Sequence, residues 1–170
     1  MSASVDIKMA IQEEWDRISD SIKHQMVSRA YRSSNELRNA SQLVLRGQRS
    51  GRRYNVPGTG RVKYNKRKHT ATITYKQYTA SAPGEPPAVR TGAFRMSWTP
   101  KVKVEGNIAG NYQYSVISQV ESTQRTDNGR YLLGEILEDG TGRMAPRPHQ
   151  QKILDKALPK IMNIYNEPYV

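Results

Sequence analysis

Apolar and small residues recur every three or four positions along the first quarter of the chain. A spacing near 3.6 residues predicts a helix with one buried face, and no Gly or Pro interrupts it. We therefore expect a helix over residues 5–44, capped by Ser4 and ended by Gly47, with a bend possible at the polar run 32–35. The stripe consists of Ile11, Trp15, Ile18, Ile22, Met26, Ala30, Ser33, Leu37, Ala40 and Val44.

Further along the chain the pattern changes to a period of two, which is typical of strands. Residues 70–78 are rich in Thr, Ile and Tyr and predict a strand or a hairpin. Residues 93–104 alternate in their second half and residues 111–120 alternate throughout, and the short turn at 107–110 predicts that the two segments pair as an antiparallel hairpin. Residues 131–138 fit a strand or a short helix equally well.

A helix closes the chain. Pro148 suits its first turn, and Ile153, Ala157 and Ile161 fall on one face. Pro159 is expected to end or kink this helix. The elements together predict an α+β fold in a single domain, residues 1–170. A small antiparallel sheet is packed by a long N-terminal helix and a short C-terminal helix, and a long basic arm, residues 48–90, is inserted after the first helix.

The charge of the chain, +12 in total, is concentrated in one region. No Asp or Glu occurs between Leu37 and Gly84, while eleven Lys and Arg residues do. This stretch also carries tyrosines, Tyr54 and Tyr64 among them, which stack on bases or fill pockets in a partner. The basic arm is thus either a solvated loop or a binding surface for anions, and its composition does not distinguish DNA from protein as the target.

Signals for catalysis or metal binding are weak. Cys is absent, which excludes disulfides and thiolate metal sites, and the three histidines are far apart in sequence. The acidic cluster at residues 135–139 has no second oxygen-rich cluster beside it, so we interpret it as a solvated edge or a subunit salt bridge. Both Gly-Thr-Gly strings, at residues 58–60 and 140–142, are interpreted as turns that need φ > 0. We expect no enzyme activity, no cofactor and no metal.

No apolar run is long enough to cross a bilayer, and no signal-peptide core follows Met1. We therefore expect no membrane association.

Two marked strings, in this order, resemble the head–tail joining proteins of long-tailed bacteriophages, the small neck or tail-completion subunits. The first is Ser-Ala-Pro-Gly-Glu-Pro-Pro-Ala at residues 81–88, followed by Thr-Gly and a Phe-Arg-Met-Ser segment at 94–97. The matching elements of the second string are Tyr131, Glu138, Gly140, Thr141, Met144, Pro146, Arg147 and Pro148. These residues cover about a fifth of the chain, while the order of elements agrees over nearly all of it.

The resemblance implies a tail-terminator-like fold and a structural virion protein of the phage neck, assembled in the host cytoplasm. Such subunits form a ring, a hexamer by preference or a dodecamer, around the DNA channel. Their partners are the head connector or head-closure protein and the tail terminator or tube proteins, with double-stranded DNA possible in the lumen. A stand-alone basic nucleic-acid-binding module is the alternative.

Residues for these contacts follow from the basic arm and the marked strings. Candidates for contact with a partner or DNA are Arg46, Arg49, Arg52, Arg53, Arg61, Lys63, Lys66, Arg67, Lys68 and Lys76. Candidates for ion pairs between subunits are Glu85, Arg90, Glu138, Arg143 and Arg147.

Overall fold

The computed structural model describes residues 3–47, 49–106 and 114–169, with the side chains of the first helix from Glu13 onward. The helices are α1 (Ala3–Val44), α2 (Ala93–Met96), α3 (Leu133–Asp139) and α4 (Gln150–Tyr165). The strands are β1 (Arg53–Asn55), β2 (Arg61–Asn65), β3 (Thr70–Thr74), β4 (Gln77–Thr79), β5 (Trp98–Gly106) and β6 (Tyr114–Ser122). The predicted turn at 107–110, the first residues of the strand predicted from 111, and the side chains of Ser4 and Ile11 lie outside the described residues.

The strands form three separate two-stranded antiparallel sheets. β5 pairs with β6, as the alternating pattern predicted. β1 pairs with β4 and β2 pairs with β3, so the two ladders are nested in one long hairpin over residues 53–79. We call this element the basic hairpin. The α+β class with a long first helix and a closing helix is confirmed, although the strands do not join into one sheet.

The core lies where the second half of α1 meets α4 and the β5–β6 pair. Its buried side chains include Leu45, Trp98, Ile153 and Ala157. The face predicted for the last helix is therefore the packed one, with Ile161 partly buried at its edge. Burying these side chains removes apolar area from water, which is the main favourable contribution to folding.

Helix α1 runs without interruption through the polar positions where a bend was considered. Ser33 and Ser34 are fully buried there, because their small side chains allow close packing against the neighbouring elements. The Ser34 hydroxyl donates to the Tyr31 carbonyl at 2.9 Å, and Ser118 of β6 donates to the Ala30 carbonyl at 3.0 Å. A buried hydroxyl bonded in this way is compatible with the helix. Ser33 and Ser34 therefore belong to the packing face, while Arg32 and Asn35 are exposed.

One other prediction needs correction, and the structure decides two points that the sequence left open. Residues 93–96, which were assigned to a strand, form the short helix α2, and β5 begins only at Trp98. The ambiguous segment near 131–138 forms helix α3. Of the two outcomes expected at Pro159, an end or a kink, the helix does not end there, because α4 continues to Tyr165. Pro159 and Asp155, the residue one turn before it, are both exposed. Water can therefore replace the hydrogen bond that proline cannot make.

Candidate functional site

The outer ladder of the basic hairpin has two chemically different faces. Val62 lies opposite Ile73, and Tyr64 lies opposite Ala71, so these four apolar side chains share one face. The alternate positions carry Arg61, Lys63, Asn65 and three threonines on the other face. All ten residues of β2 and β3 are exposed, and Val62 is 68% exposed. Neither face is therefore covered by the rest of the described chain.

Turn chemistry shapes both ends of this ladder. Gly58 has φ 73°, as the interpretation of the first Gly-Thr-Gly string required, and Thr59 Oγ1 accepts from the Lys76 amide at 3.0 Å. At the tip, Asn65 Oδ1 accepts from the amides of Arg67 and Lys68 at 3.1 and 3.3 Å. This Asn-centred turn holds three consecutive cations, residues 66–68, at the end of the hairpin.

Nine of the ten cations predicted to contact a partner are exposed. No acidic residue lies within the hairpin, so their positive charge is not neutralised locally. Such a surface attracts phosphate groups or acidic protein faces. The exposed members are Arg46, Arg52, Arg53, Arg61, Lys63, Lys66, Arg67, Lys68 and Lys76.

Arg49 is different, because it is half-buried beneath the start of the hairpin. Its guanidinium donates to the carbonyl of Val44 at 2.8 Å and to that of Pro87 at 3.0 and 3.2 Å. Burial lowers the pKa of this guanidinium, while Glu85 opposes the shift. Arginine remains protonated all the same. The observed role of Arg49 is to join the end of α1 to the loop that follows the hairpin.

Glu85 fixes the base of the hairpin to the first marked string. Its carboxylate accepts from the Ser50 hydroxyl at 2.6 Å, from the Ser50 amide at 3.0 Å and from the Ala82 amide at 2.9 Å. These hydrogen bonds, the Ser50 hydroxyl first, lower the pKa of Glu85 to about 2. The Gly84 turn beside it has φ 77°, which a side chain would disfavour.

The two strings that carry the family resemblance meet in space. Arg147 donates to both the carbonyl and the hydroxyl of Ser81. The Gly84 amide donates to the Pro146 carbonyl at 3.1 Å, and Lys152 Nζ donates to the Gly84 carbonyl at 3.0 Å. Residues 81–87 and 146–152 therefore form one junction, which connects the basic hairpin to the start of α4.

Glu138 anchors the start of α4 in the same region. Its Oε2 accepts from the His149 amide at 2.9 Å and from the Gln150 amide at 3.2 Å. It also lies 2.7 Å from His149 Nδ1, whose hydrogen-bond partner is the Arg147 carbonyl at 3.1 Å. The carboxylate thus satisfies free amides at a helix N-terminus. His149 is fully buried, with its ring edge-on to Phe94 at 5.6 Å and to Trp98 at 5.7 Å. The ring of His149 is therefore part of the packing with Phe94 of α2 and Trp98 of β5.

The five residues predicted for subunit ion pairs fall into two groups. Glu85, Glu138 and Arg147 bond within the chain, at the junction just described. Arg90 and Arg143 are exposed on the surface. Contact between subunits stays a prediction for all five, but the first three already have a role in holding the fold together.

Sequence reasoning missed the apolar face of the basic hairpin. The signal was present, because the string Arg-Val-Lys-Tyr-Asn alternates cation and apolar residue over positions 61–65. The high positive charge of the segment outweighed this alternation, so the segment was interpreted as an extended arm. Recognising β2 would have required the register between β2 and β3, which pairs residues five to thirteen positions apart.

Within the described ranges, no group of three or more His, Asp or Glu side chains is arranged to hold a metal ion. A cleft of about 590 Å³ lies beside α2. Its charged lining consists of four arginines and Asp127, without a histidine or second carboxylate for acid–base chemistry. Among the described helices, none combines the length and apolar character needed to cross a membrane.

Comparisons with protein-family models, with curated proteins and with solved structures found no match for this chain.

Proposed function

We propose that the chain is a structural subunit of the neck of a long-tailed phage. It forms a ring that completes the tail and joins it to the head connector around the DNA channel. The observation that carries this proposal is the basic hairpin, whose outer ladder is exposed on both faces and carries no acidic residue. Isolated two-stranded hairpins are marginally stable in water, so this element is suited to completion by a partner.

The partners implied are macromolecules that present negative charge. Duplex DNA offers two phosphates per base pair, and a ring of hairpins would place many cations around it. The head connector or head-closure protein and the tail terminator or tube proteins are the alternative targets for the same cations. A sixfold ring fits the symmetry of such tails, and a twelvefold ring would match the connector.

The junction at the base of the hairpin supports a positional role for this element. Glu85, Arg49 and Arg147 tie the segments before and after the hairpin to α1 and α4. A hairpin attached at a fixed base can be presented in the same direction by every subunit of a ring. The resemblance in sequence supports the same interpretation, because its two marked strings are the segments that form this junction.

A stand-alone nucleic-acid-binding module is the second candidate. It is favoured by the cationic tip at residues 66–68 and by the stacked pair Tyr54–Tyr78, whose ring centroids are 5.9 Å apart. Such a module would bind duplex DNA as a monomer or dimer, with an affinity that falls steeply as salt rises.

Native mass spectrometry and sedimentation of the purified chain, with and without duplex DNA across a salt series, separate the two candidates. Discrete rings of six or twelve subunits support the neck proposal. So does a monomer that ignores DNA and assembles only when connector or tail protein is added. A salt-sensitive DNA complex of one or two subunits, with no ring under any condition, would favour the nucleic-acid module.

A joining assay with isolated heads and tails tests the hairpin directly. The variant replaces Arg52, Arg53, Arg67 and Lys68 with serine. The matched control removes four exposed cations outside the hairpin, Lys103, Arg125, Arg130 and Lys156. We expect the first variant to lose joining activity and the control to keep it, and equal activity of the two would contradict the role proposed for the hairpin.

A further inference from the structure

The first half of α1 carries an apolar stripe that lies outside the core. Trp15, Ile18 and Ile22 follow each other at steps of three and four, so they share one face of the helix. They are 65%, 43% and 39% exposed. The same stripe is buried from Ala30 onward, where α4 and the β5–β6 pair pack against it. Exposed apolar residues aligned on one face mark a surface that associates with another.

This part of α1 is also the acidic part of a basic protein. Residues 3–22 contain five carboxylates against Lys8 and Arg17, a net charge of −3 in a chain of +12. The basic hairpin, residues 53–79, contains seven cations and no acid, a net charge of +7. The two segments therefore carry opposite charge, and each also exposes apolar side chains.

The apolar face of the hairpin has the properties of a docking site for such a helix. Val62, Tyr64 and Ile73 are each more than half exposed, and Tyr75 beside them is 44% exposed. The long cationic side chains of the hairpin reach past the edges of a two-stranded ladder, where they can meet acidic residues on a helix lying across the apolar face. The helix brings its own apolar stripe, with Glu14 at its edge in an ion pair with Arg17 at 2.6 Å. Asp20 lies on the far side of the helix, paired with Lys23 at 3.0 Å.

Charge favours this pairing over the two symmetric ones. A contact between two α1 stripes would bring together two segments that each have a net charge of −3. A contact between two hairpins would bring together two segments that each have a net charge of +7. Like charges brought together at an interface weaken it, whereas opposite charges steer association and fix its register. Only a contact between α1 and the hairpin matches both apolar surface and charge.

Two copies can make this contact in a repeating way. From Ile22 to Val44 the helix rises about 33 Å, and the hairpin begins only after that end of α1. A subunit thus carries its two complementary surfaces far apart along the chain. A contact between two different surfaces is heterologous, and it closes into a ring when the rotation between neighbours allows it.

We propose that the exposed stripe of α1 in one copy docks on the apolar face of the basic hairpin of the next copy. The closure of these contacts into a ring rests on the proposed function, whereas the contact itself does not. The opposite face of the hairpin, with Arg61 and Lys63, stays open in this arrangement for DNA or for a neighbouring protein.

Cross-linking of the full-length chain tests the contact, because the protein contains no Cys and engineered thiols are unique. One preparation carries Ile22→Cys and the other Ile73→Cys, and the two are mixed and treated with a short bismaleimide. The control mixture replaces the hairpin partner with Leu154→Cys, an exposed position on α4. We expect heterodimers between the α1 and hairpin variants well above this control. Yields equal to the control, or Ile22→Cys homodimers as the main product, would overturn the proposal.

Sedimentation of surface variants gives a second test. Ile18→Gln with Ile22→Gln removes the stripe and keeps good helix formers, while Val62→Thr with Ile73→Thr removes the apolar face and keeps strand formers. Each double variant is expected to weaken self-association by at least about tenfold. Mixing the two variants restores one intact contact per pair, so dimers should form but nothing larger. Failure of the mixture to give dimers would refute a heterologous contact.

The outcomes separate this inference from the proposed function. Rings without cross-links between α1 and the hairpin would refute the contact and leave the neck proposal standing. Cross-links with neither rings nor joining activity would support the contact and count against the neck proposal. The absence of cross-links, rings and joining activity would overturn both.

Discussion

Removing the Glu138 carboxylate is predicted to destabilise the fold by loosening the start of α4. Oε2 of Glu138 is the acceptor for two donors, the amides of His149 and Gln150. A hydrogen bond to a charged group contributes about 1.5–3 kcal/mol, but the two share one oxygen and are not additive. Gln150 is exposed, so water can replace the carboxylate at its amide.

His149 is where most of the cost of Glu138→Ala arises. The histidine is fully buried, and its backbone amide would lose its acceptor, whereas its ring Nδ1 keeps the Arg147 carbonyl. An unpaired buried donor costs about 1–3 kcal/mol. Together with the loss at the helix N-terminus, we expect Glu138→Ala to lower the free energy of unfolding by about 2–4 kcal/mol. For a chain of this size that corresponds to a fall in Tm of about 5–12 °C.

Thermal and urea unfolding followed by circular dichroism measure this effect, at concentrations where the protein is monomeric. Glu135→Ala is the matched control, because it removes the same charge from the same helix at an exposed side chain. Glu138→Gln keeps a neutral acceptor for the amides and should lose about half as much stability. If Glu138→Ala and Glu135→Ala were equally stable, the anchoring role derived for Glu138 would be refuted.

Three further predictions concern the core, the hairpin base and the hairpin tip. Leu45 is 1% exposed, so Leu45→Ala should lower the free energy of unfolding, measured with urea, by about 2–5 kcal/mol. A decrease below about 1 kcal/mol would mean that the neighbouring side chains move to fill the cavity. Glu85 has a pKa of about 2 in the folded protein against 4.5 for the free side chain, so its stabilisation is complete above pH 4.5 and is lost as pH falls towards 2. The gap in Tm between wild type and Glu85→Gln should therefore close across that window, and a constant gap would contradict the assignment. In duplex DNA binding, Arg67→Ser should reduce the slope of log K against log salt by about one, while Arg130→Ser should leave it unchanged.

Local periodicity accounts for the parts of the fold that were predicted correctly. The helical stripe predicted residues 5–44, and α1 spans Ala3–Val44. Alternation predicted the β5–β6 pair and a strand near residue 70. In each case the spacing of apolar residues over one element carries the information, because the buried face of a helix or strand is a local property.

The errors arose where a distant contact decides the local structure. Ser33 and Ser34 looked like an interruption of α1, yet β6 packs there and the Ser118 hydroxyl bonds to Ala30. Glu85 was a candidate for an ion pair between subunits, and its bond to Ser50, 35 positions away in the sequence, was not predicted. Contacts of this kind join residues with no shared periodicity, and a single sequence does not contain them.

The sequence predicted the positive charge of the candidate site but not which of its side chains lie on the same face. The concentration of cations was visible from composition, and nine of the ten are exposed on the surface. The apolar face beneath them depends on the pairing of Val62 with Ile73, and the junction at the hairpin base depends on Arg147 reaching Ser81. Charge is a property of the sequence, whereas a face requires the register of two strands.

The two segments that leave the core are the ones least able to hold their structure alone. The first half of α1 has an exposed apolar face, so tertiary packing stabilises it little. The basic hairpin has only two strands, and such a hairpin is marginally stable without a third strand or a covering helix. In the proposed contact, α1 would cover the apolar face of the hairpin, and the hairpin would cover the apolar stripe of α1. Docking between copies would therefore stabilise both at once, and the ordering cost would fall at the moment of assembly. Under the proposed contact, each subunit would gain stability beside a neighbour, as the neck role proposed above expects.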